Sequence, residues 1–312
     1  MVVSKVKDVG DMKELKRWGP LYLLMLPGIL YLIVNNYIPM AGIVVAFKKY
    51  RAKEGVFGSP WIGLENFKFL FQSGELWLIT RNTLLYNLAF LLLTTFFAIV
   101  FAVLISDISR KHLKKLYQSA VLLPFLISMV IVSYIVFGFL NVENGFINHV
   151  ILPLFGKPAI SWYSEPNYWP FILVLVHVWK NVGYSCLIYI AGIAGIDGAL
   201  YEAAALDGAG KLKQIWYITL PALAPSIITL TLMHIGKIFY SDFGLFYQVP
   251  MDSGLLYPAT NVIDTYVYRA LIKLGNIGMS SAAGVFQSMV GFLLVLLSNW
   301  AVRKTNRENA LF

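Results

Sequence analysis

Two lysines stand in or beside long apolar stretches: Lys180 about midway along residues 166–196, and Lys237 just past a stretch that ends near Gly236. A charge at the centre of a bilayer costs roughly 2.5–3.5 kcal/mol on insertion scales, so Lys180 must face a polar interior or a partner group. It has two readings: contact with a polar or anionic solute, or pairing with a neighbouring helix or subunit. Lys237 lies nearer the end of its stretch, where a lysine stem can cover apolar surface while its ammonium reaches the boundary. His177, Asn181, Tyr184, Tyr240 and Gln287 are further side chains able to hydrogen-bond or stack on a solute. Aromatic residues near the ends of apolar stretches also serve as interface anchors.

Covalent chemistry has no comparable seat. The four histidines, at 112, 149, 177 and 234, are scattered, and neither a His-Glu-x-x-His nor a Gly-x-Ser-x-Gly pattern occurs. Gly208-Ala209-Gly210-Lys211 hints at a phosphate loop, but such a loop needs Gly at 205 and Ser or Thr at 212, where this chain has Ala and Leu. The single cysteine, Cys186, excludes an intrachain disulfide and a multi-cysteine metal site. The sequence therefore predicts no catalytic residue, no bound cofactor and no metal.

The elements that must position these residues are membrane helices. The 312 residues are 58% hydrophobic and only 13% charged, with a mean hydropathy of +0.69, whereas soluble domains carry about 25% charge. The net charge of +9 comes from short basic blocks beside apolar stretches, a pattern of topology signals rather than of nucleic-acid binding. A crossing helix needs about 20 apolar residues. Residues 20–47, 82–106, 116–142, 166–196, 218–236 and 280–302 each qualify, so the expected fold is all-α and polytopic, with six transmembrane helices. The domain plan is a cytoplasmic segment at 1–19, a transmembrane domain at 20–302 and a cytoplasmic tail at 303–312. The first span is too long for the apolar region of a cleaved signal and remains as an anchor.

Lysine and arginine counts orient the chain. With both termini inside, cytoplasmic segments hold 14 and external segments nine, although the block Lys48-Lys49-Tyr50-Arg51 runs against this bias. External loops fall at 53–80 and 143–165. Over 262–274 the apolar residues share one helical face, which predicts a short interfacial helix leading into the last span.

Between the fourth and fifth spans, residues 197–221 read as two short helices. Asp197 can cap the first, Gly208 supplies a positive-φ position between them, and Asp207 can hydrogen-bond local backbone to start the second. Glu202, Ala203, Ala204 and Ala205 make a low, anionic surface, and the segment closes on Ile218-Thr219-Leu220-Pro221. In order and spacing, this segment resembles the EAA loop of ABC-importer permeases. The shorter motifs Gly63-Leu64-Glu65-Asn66-Phe67, Asn82-Thr83, Trp179-Lys180-Asn181-Val182-Gly183 and Val262-Ile263-Asp264-Thr265-Tyr266-Val267 are similar to the carbohydrate-type, MalF- and LplB-like group. The ending, from Asn299-Trp300 to Leu311-Phe312, is similar to the LplB-like and alginate-permease branch. Asp197 departs from the pattern, since related chains often have Pro there.

The resemblance implies a type I ABC-importer permease fold in a bacterial inner membrane, with cytoplasmic termini and a substrate that is an oligo- or polysaccharide or related sugar. It implies that Glu202, Ala203, Ala204, Asp207, Gly208 and Ala209 contact an ATP-binding subunit. It also implies a second permease, two ATP-binding subunits carrying ATP and Mg, and an external solute-binding protein. Lys180, Asn181, Tyr184, His177, Tyr240 and Gln287 are then the candidate sugar path. An ion-coupled secondary carrier is the rival reading. It fits less well, because no inverted repeat and no intramembrane acid is evident. A polytopic membrane enzyme would need a carboxylate or metal constellation, and the external acids are dispersed.

Overall fold

The computed structural model describes residues 12–72 and 74–305. Residues 1–11 and 306–312, which carry Lys5, Lys7 and Arg307 of the charge argument and most of the two terminal segments, lie outside the described residues. Within the described residues the chain is helical, and its one β contact is an isolated antiparallel bridge between Lys48 and Trp61. The helices that matter here are α1 (Met12–Leu32), α2 (Glu75–Ser106), α3 (Lys111–Leu126), α4 (Met129–Leu140) and α5 (Trp169–Ala194). They are followed by α6 (Gly198–Leu206), α7 (Lys211–Gln214), α8 (Leu220–Ile235), α9 (Ile263–Tyr268) and α10 (Ile277–Thr305).

Among the described residues, five helical runs are long and apolar enough to cross a bilayer: Trp18–Phe47, Glu75–Ser106, Pro166–Ala194, Lys211–Ile235 and Ile277–Lys304. The third expected span, 116–142, is not one helix. It is the pair α3 and α4, bent by 95° at their junction. Pro124 lacks the N–H that the final turn of α3 would need. Ile127 and Ser128 then turn extended, with ψ of 133° and 149°. Ser128 restarts the helix by accepting a hydrogen bond from the Ile131 N–H at 3.4 Å.

The central pair is α2 and α5. Ala98 and Ala102 of α2 are fully buried and pack with Val182, Cys186, Tyr189 and Ile190 of α5 and with Leu223 of α8. Small residues let helix backbones approach closely in lipid. Gly183 marks the tightest approach, because a Cβ there would stand 2.0 Å from the Val121 carbonyl oxygen of α3. By contrast α1 stays on the outside, with Leu23 and Leu24 more than two-thirds exposed.

The segment between α8 and α10 is folded into the bundle. Leu245, Phe246, Val249, Leu256 and Val262 pack on Tyr86 and Phe90 of α2 and on Trp169 and Leu173 of α5. One face of α2 clasps this segment. Asn82 donates to the carbonyls of Pro258 and Asn261 at 3.1 and 3.0 Å, and Tyr86 donates to the Ala259 carbonyl at 2.8 Å. Thr83 accepts from the Ile263 N–H at 3.1 Å, and Asn87 donates to the Ile238 carbonyl at 3.0 Å. The expected interfacial helix over 262–274 is therefore a packed element. Val262, Ile263, Tyr266 and Ala270 are buried while Leu271 and Leu274 are exposed, and the helix widens into a π turn over Arg269–Lys273.

A second clasp ties the turn at Met251 and Asp252, both at positive φ. Arg269 donates from Nε to Asp252 at 2.8 Å and from Nη1 to Asn261 at 2.6 Å, with its guanidinium 3.9 Å from the Tyr257 ring centre. Lys273 also pairs with Asp252. Burial alone would raise the Asp252 carboxyl; the hydrogen bonds and charges of Lys273 and Arg269 outweigh it and hold the group below its ordinary range. Asp264 behaves oppositely. Burial raises it, although its Oδ2 accepts from the Ser241 N–H at 2.7 Å and from Gln287 at 3.1 Å.

Candidate coupling loop and solute cleft

Local rules build the 197–221 loop. Asp197 stands at the N-cap of α6, its carboxylate accepting from the Ala199 N–H at 3.0 Å. The helix closes with the two hydrogen bonds of a Schellman end: Gly208 N–H to the Ala205 carbonyl at 3.0 Å and Ala209 N–H to the Ala204 carbonyl at 2.8 Å. That ending requires a left-handed residue, and Gly208 has φ of +77°. Asp207 does not start the second helix as its type suggested. It ends α6, and Gly210 stands at the N-cap of α7.

Two ties hold the loop to the bundle. Tyr201 and Thr219 share a hydrogen bond of 2.9 Å, and Lys211 pairs with Asp107 at the end of α2 at 2.5 Å. A cavity of about 400 Å³ opens between these ties, lined by Val103, Asp107, Tyr201, Lys211, Gln214 and Thr219. The outward surface carries Glu202, Ala203, Asp207 and Gly208 exposed, with Ala204 and Ala209 half-buried. Leu206, which no motif singles out, is 90% exposed beside them. It thus stands exposed among alanines and the two carboxylates of Glu202 and Asp207.

A second site lies in the bundle between α2, α5 and α8. A cleft of about 240 Å³ is lined by His177, Asn181 and Tyr184 from α5, and by Tyr240 past the end of α8, so four of the six candidate path residues meet there. His177 lies flat on Phe90, with ring centres 3.7 Å apart. Asn181 donates to the His177 carbonyl at 2.9 Å, and Tyr184 stacks on Phe125 at 5.0 Å. The same cleft is lined by Asn87, Thr94, Thr95, His234, Lys237 and Asp242, which the sequence reading left out of the path. Lys237, read from the sequence as a boundary lysine, lines this cleft.

Two candidates fall outside it. Gln287 is buried and spends its amide on the Phe239 carbonyl at 2.6 Å and on Asp264 at 3.1 Å, so it fastens α10 to the turn after α8. Lys180 is consumed by the broken span. Its ammonium donates to the carbonyls of Pro124 at 3.3 Å, Phe125 at 3.1 Å and Ile127. Those oxygens lie at the C-terminal end of α3, where acceptors run short of intrahelical donors, although the Pro124 carbonyl also accepts from the Ile127 N–H at 3.2 Å. A cation also complements the negative pole of a helix C-terminus. Of the two readings of Lys180, the structure gives pairing with a neighbouring helix.

The family described as "Binding-protein-dependent transport system inner membrane component" matches residues 97–307. Protein LplB of Bacillus subtilis (strain 168) is 34% identical over 307 residues, covering 98% of this chain and 96% of that protein. The polygalacturonan/rhamnogalacturonan transport system permease protein YteP of the same organism is 38% identical over 295 residues, covering 92% and 89%. The crystal structure of a bacterial ABC transporter involved in the import of the acidic polysaccharide alginate contains a chain similar to this one. It has a TM-score of 0.86 and 32% identity, and the match covers 95% of this chain and 99% of that one.

Proposed function

Because the chain belongs to the family of inner-membrane components of binding-protein-dependent transport systems, we propose that it is one permease half of an ABC importer for an oligo- or polysaccharide. As a transport subunit it is a conduit and not an enzyme. Energy then comes from two ATP-binding subunits that carry ATP and Mg, a second permease completes the membrane path, and an external binding protein delivers the sugar. The termini and the 197–221 loop face the cytoplasm in this reading.

The observation that carries the proposal is the loop itself: a helix–turn–helix closed by Gly208, exposed at Glu202, Ala203 and 205–208 and tied to the bundle through Tyr201 and Lys211. A push on α6 reaches α2 and α8 through those two ties. The polysaccharide reading draws on YteP and the alginate transporter, whose names give polysaccharides as their substrates. The family leaves the secondary-carrier alternative without support.

Reconstitution tests the proposal. The purified chain alone should hydrolyse no ATP, whereas the assembled complex in proteoliposomes should hydrolyse it faster when loaded binding protein is added outside. ATP hydrolysis by the isolated chain, or a complex indifferent to the binding protein, would refute the reading.

A further inference from the structure

We infer that a groove between α2 and α5, near the Glu75 end of α2, holds one ordered phospholipid, with its phosphate on Arg81 and an acyl chain laid along both helices. This goes beyond the importer reading and needs only that α2 and α5 cross the membrane.

The groove has a volume of about 500 Å³ and runs from a polar mouth to an apolar floor. Arg81 and Asn167 line the mouth. One and two turns further along each helix come Leu85 and Ala89 of α2, and Pro170 and Val174 of α5. The other polar side chains of the wall are occupied, because Asn82 and Tyr86 already donate to the backbone of residues 258–261. From Arg81 to Ala89 the groove descends about 12 Å, at about 1.5 Å per residue. Half of a hydrocarbon core is about 15 Å deep. An acyl chain fits that descent.

The stripe of α2 around the groove has the sequence of a lipid-facing surface. Trp77, one turn before Arg81, is 73% exposed, and Leu88, Leu92 and Phe96 are exposed beyond it. Tryptophan collects at the membrane–water boundary, which puts Arg81 at headgroup level. At about 3.6 residues per turn, this stripe lies roughly opposite Asn87, Phe90 and Thr94, which α2 gives to the solute cleft. The groove is therefore separate from the candidate sugar path.

Charge selects the ligand. The Arg81 guanidinium donates from Nη2 to Asn82 Oδ1 at 3.2 Å and is otherwise exposed. Among the described residues Arg81 forms no ion pair, and no acidic side chain lines the groove. A phosphodiester can take two parallel N–H bonds from a guanidinium, each about twice as strong as a neutral one. A phospholipid brings that anion and an apolar chain in one molecule, in the order in which the groove presents their partners. A helix of another subunit would have to supply both a carboxylate and an apolar wedge at the same spacing.

The test is native mass spectrometry of the full chain with its co-purifying subunits, stripped of lipid in detergent and titrated with palmitoyl-oleoyl phosphatidylglycerol. Wild type should bind one phosphatidylglycerol more tightly than any other. Arg81→Gln should weaken that binding about tenfold, equivalent to about 1.4 kcal/mol, and Arg81→Lys should weaken it less. Ala89→Phe, which fills the floor beneath an intact Arg81, should weaken it as much as Arg81→Gln. Palmitoyl-oleoyl glycerol, with the same chains and no phosphate, should not take the site, and inorganic phosphate should not displace the lipid. Equal binding by wild type, Arg81→Gln and Ala89→Phe overturns the inference, as does palmitoyl-oleoyl glycerol binding as tightly as phosphatidylglycerol. Displacement by inorganic phosphate overturns it in favour of a free-anion site. Loss of a co-purifying subunit from Arg81→Gln, with lipid binding unchanged, overturns it in favour of a protein contact.

Discussion

The loop at 197–221 and the segment at 236–276 both join membrane helices, yet they are held in opposite ways. The first is closed by its own hydrogen bonds and touches the bundle through Tyr201 and Lys211. The second is stitched down by Asn82, Thr83, Tyr86, Asn87, Arg269 and Gln287, with Phe246 and Val262 in the core. The first keeps the surface free that we propose it lends to a partner. A segment that shapes a cleft wall is fixed by its neighbours. Substitutions in the two regions should therefore fail differently, and that difference is measurable.

The largest effect belongs to Gly208→Val. A β-branched residue at φ of +77° is strained by about 1–3 kcal/mol, and α6 relieves that strain by re-aiming. Uptake should fall at least tenfold while insertion and heat stability stay near wild type. Uptake at the wild-type rate would break the comparison on its exposed side. Lys180→Met comes next. It strands the oxygens that end α3, at a cost of about 2–3 kcal/mol for a hydrogen-bonded charge. Complex yield and melting temperature should drop, and an unchanged melting temperature would remove Lys180 from its clasp.

Arg269→Met should lower thermal stability by about 3 kcal/mol, the scale for breaking a buried pair, with uptake of the surviving complex reduced less than by Gly208→Val. The same clasp has an acid limit. The Asp252 carboxyl is held below its ordinary range, so its contribution is complete above about pH 4 and is lost as pH falls through the lower folded value. Asp252→Asn should flatten that part of the heat-stability profile measured between pH 5 and pH 3. Asp264, raised by burial, contributes with the reverse sign, its share fading as pH rises through its folded value. The smallest effect is Lys213→Ala. Lys213 is exposed on α7 and belongs to neither tie, so transport should stay within experimental error of wild type.

The sequence exposed some of this architecture and hid the rest for identifiable reasons. Asp197 and Gly208 were legible because caps and positive-φ turns are local bonds between near neighbours. The motifs Asn82-Thr83 and Val262 to Val267 were visible as separate matches, and the structure joins them through Thr83 and the Ile263 N–H. The bonds that Gln287 and Lys180 make were not legible, because their partners are backbone carbonyls far away in the chain, which no residue type announces. The break between α3 and α4 stayed hidden because the run remains apolar across Pro124 and Ser128, and hydropathy carries no information about direction. That Lys237 lines a cleft was not legible, because the turn that carries it is held by Asn87, 150 residues earlier in the chain.

The clasp at Lys180 also imposes an order on synthesis. The carbonyls of Pro124, Phe125 and Ile127 leave the ribosome 53 to 56 residues before the ammonium that satisfies them. Until α5 joins the bundle, those carbonyls lack the ammonium that bonds them. A chain truncated before Trp169 should therefore leave residues 111–140 sensitive to alkaline extraction from membranes, and one extended past Ala194 should not.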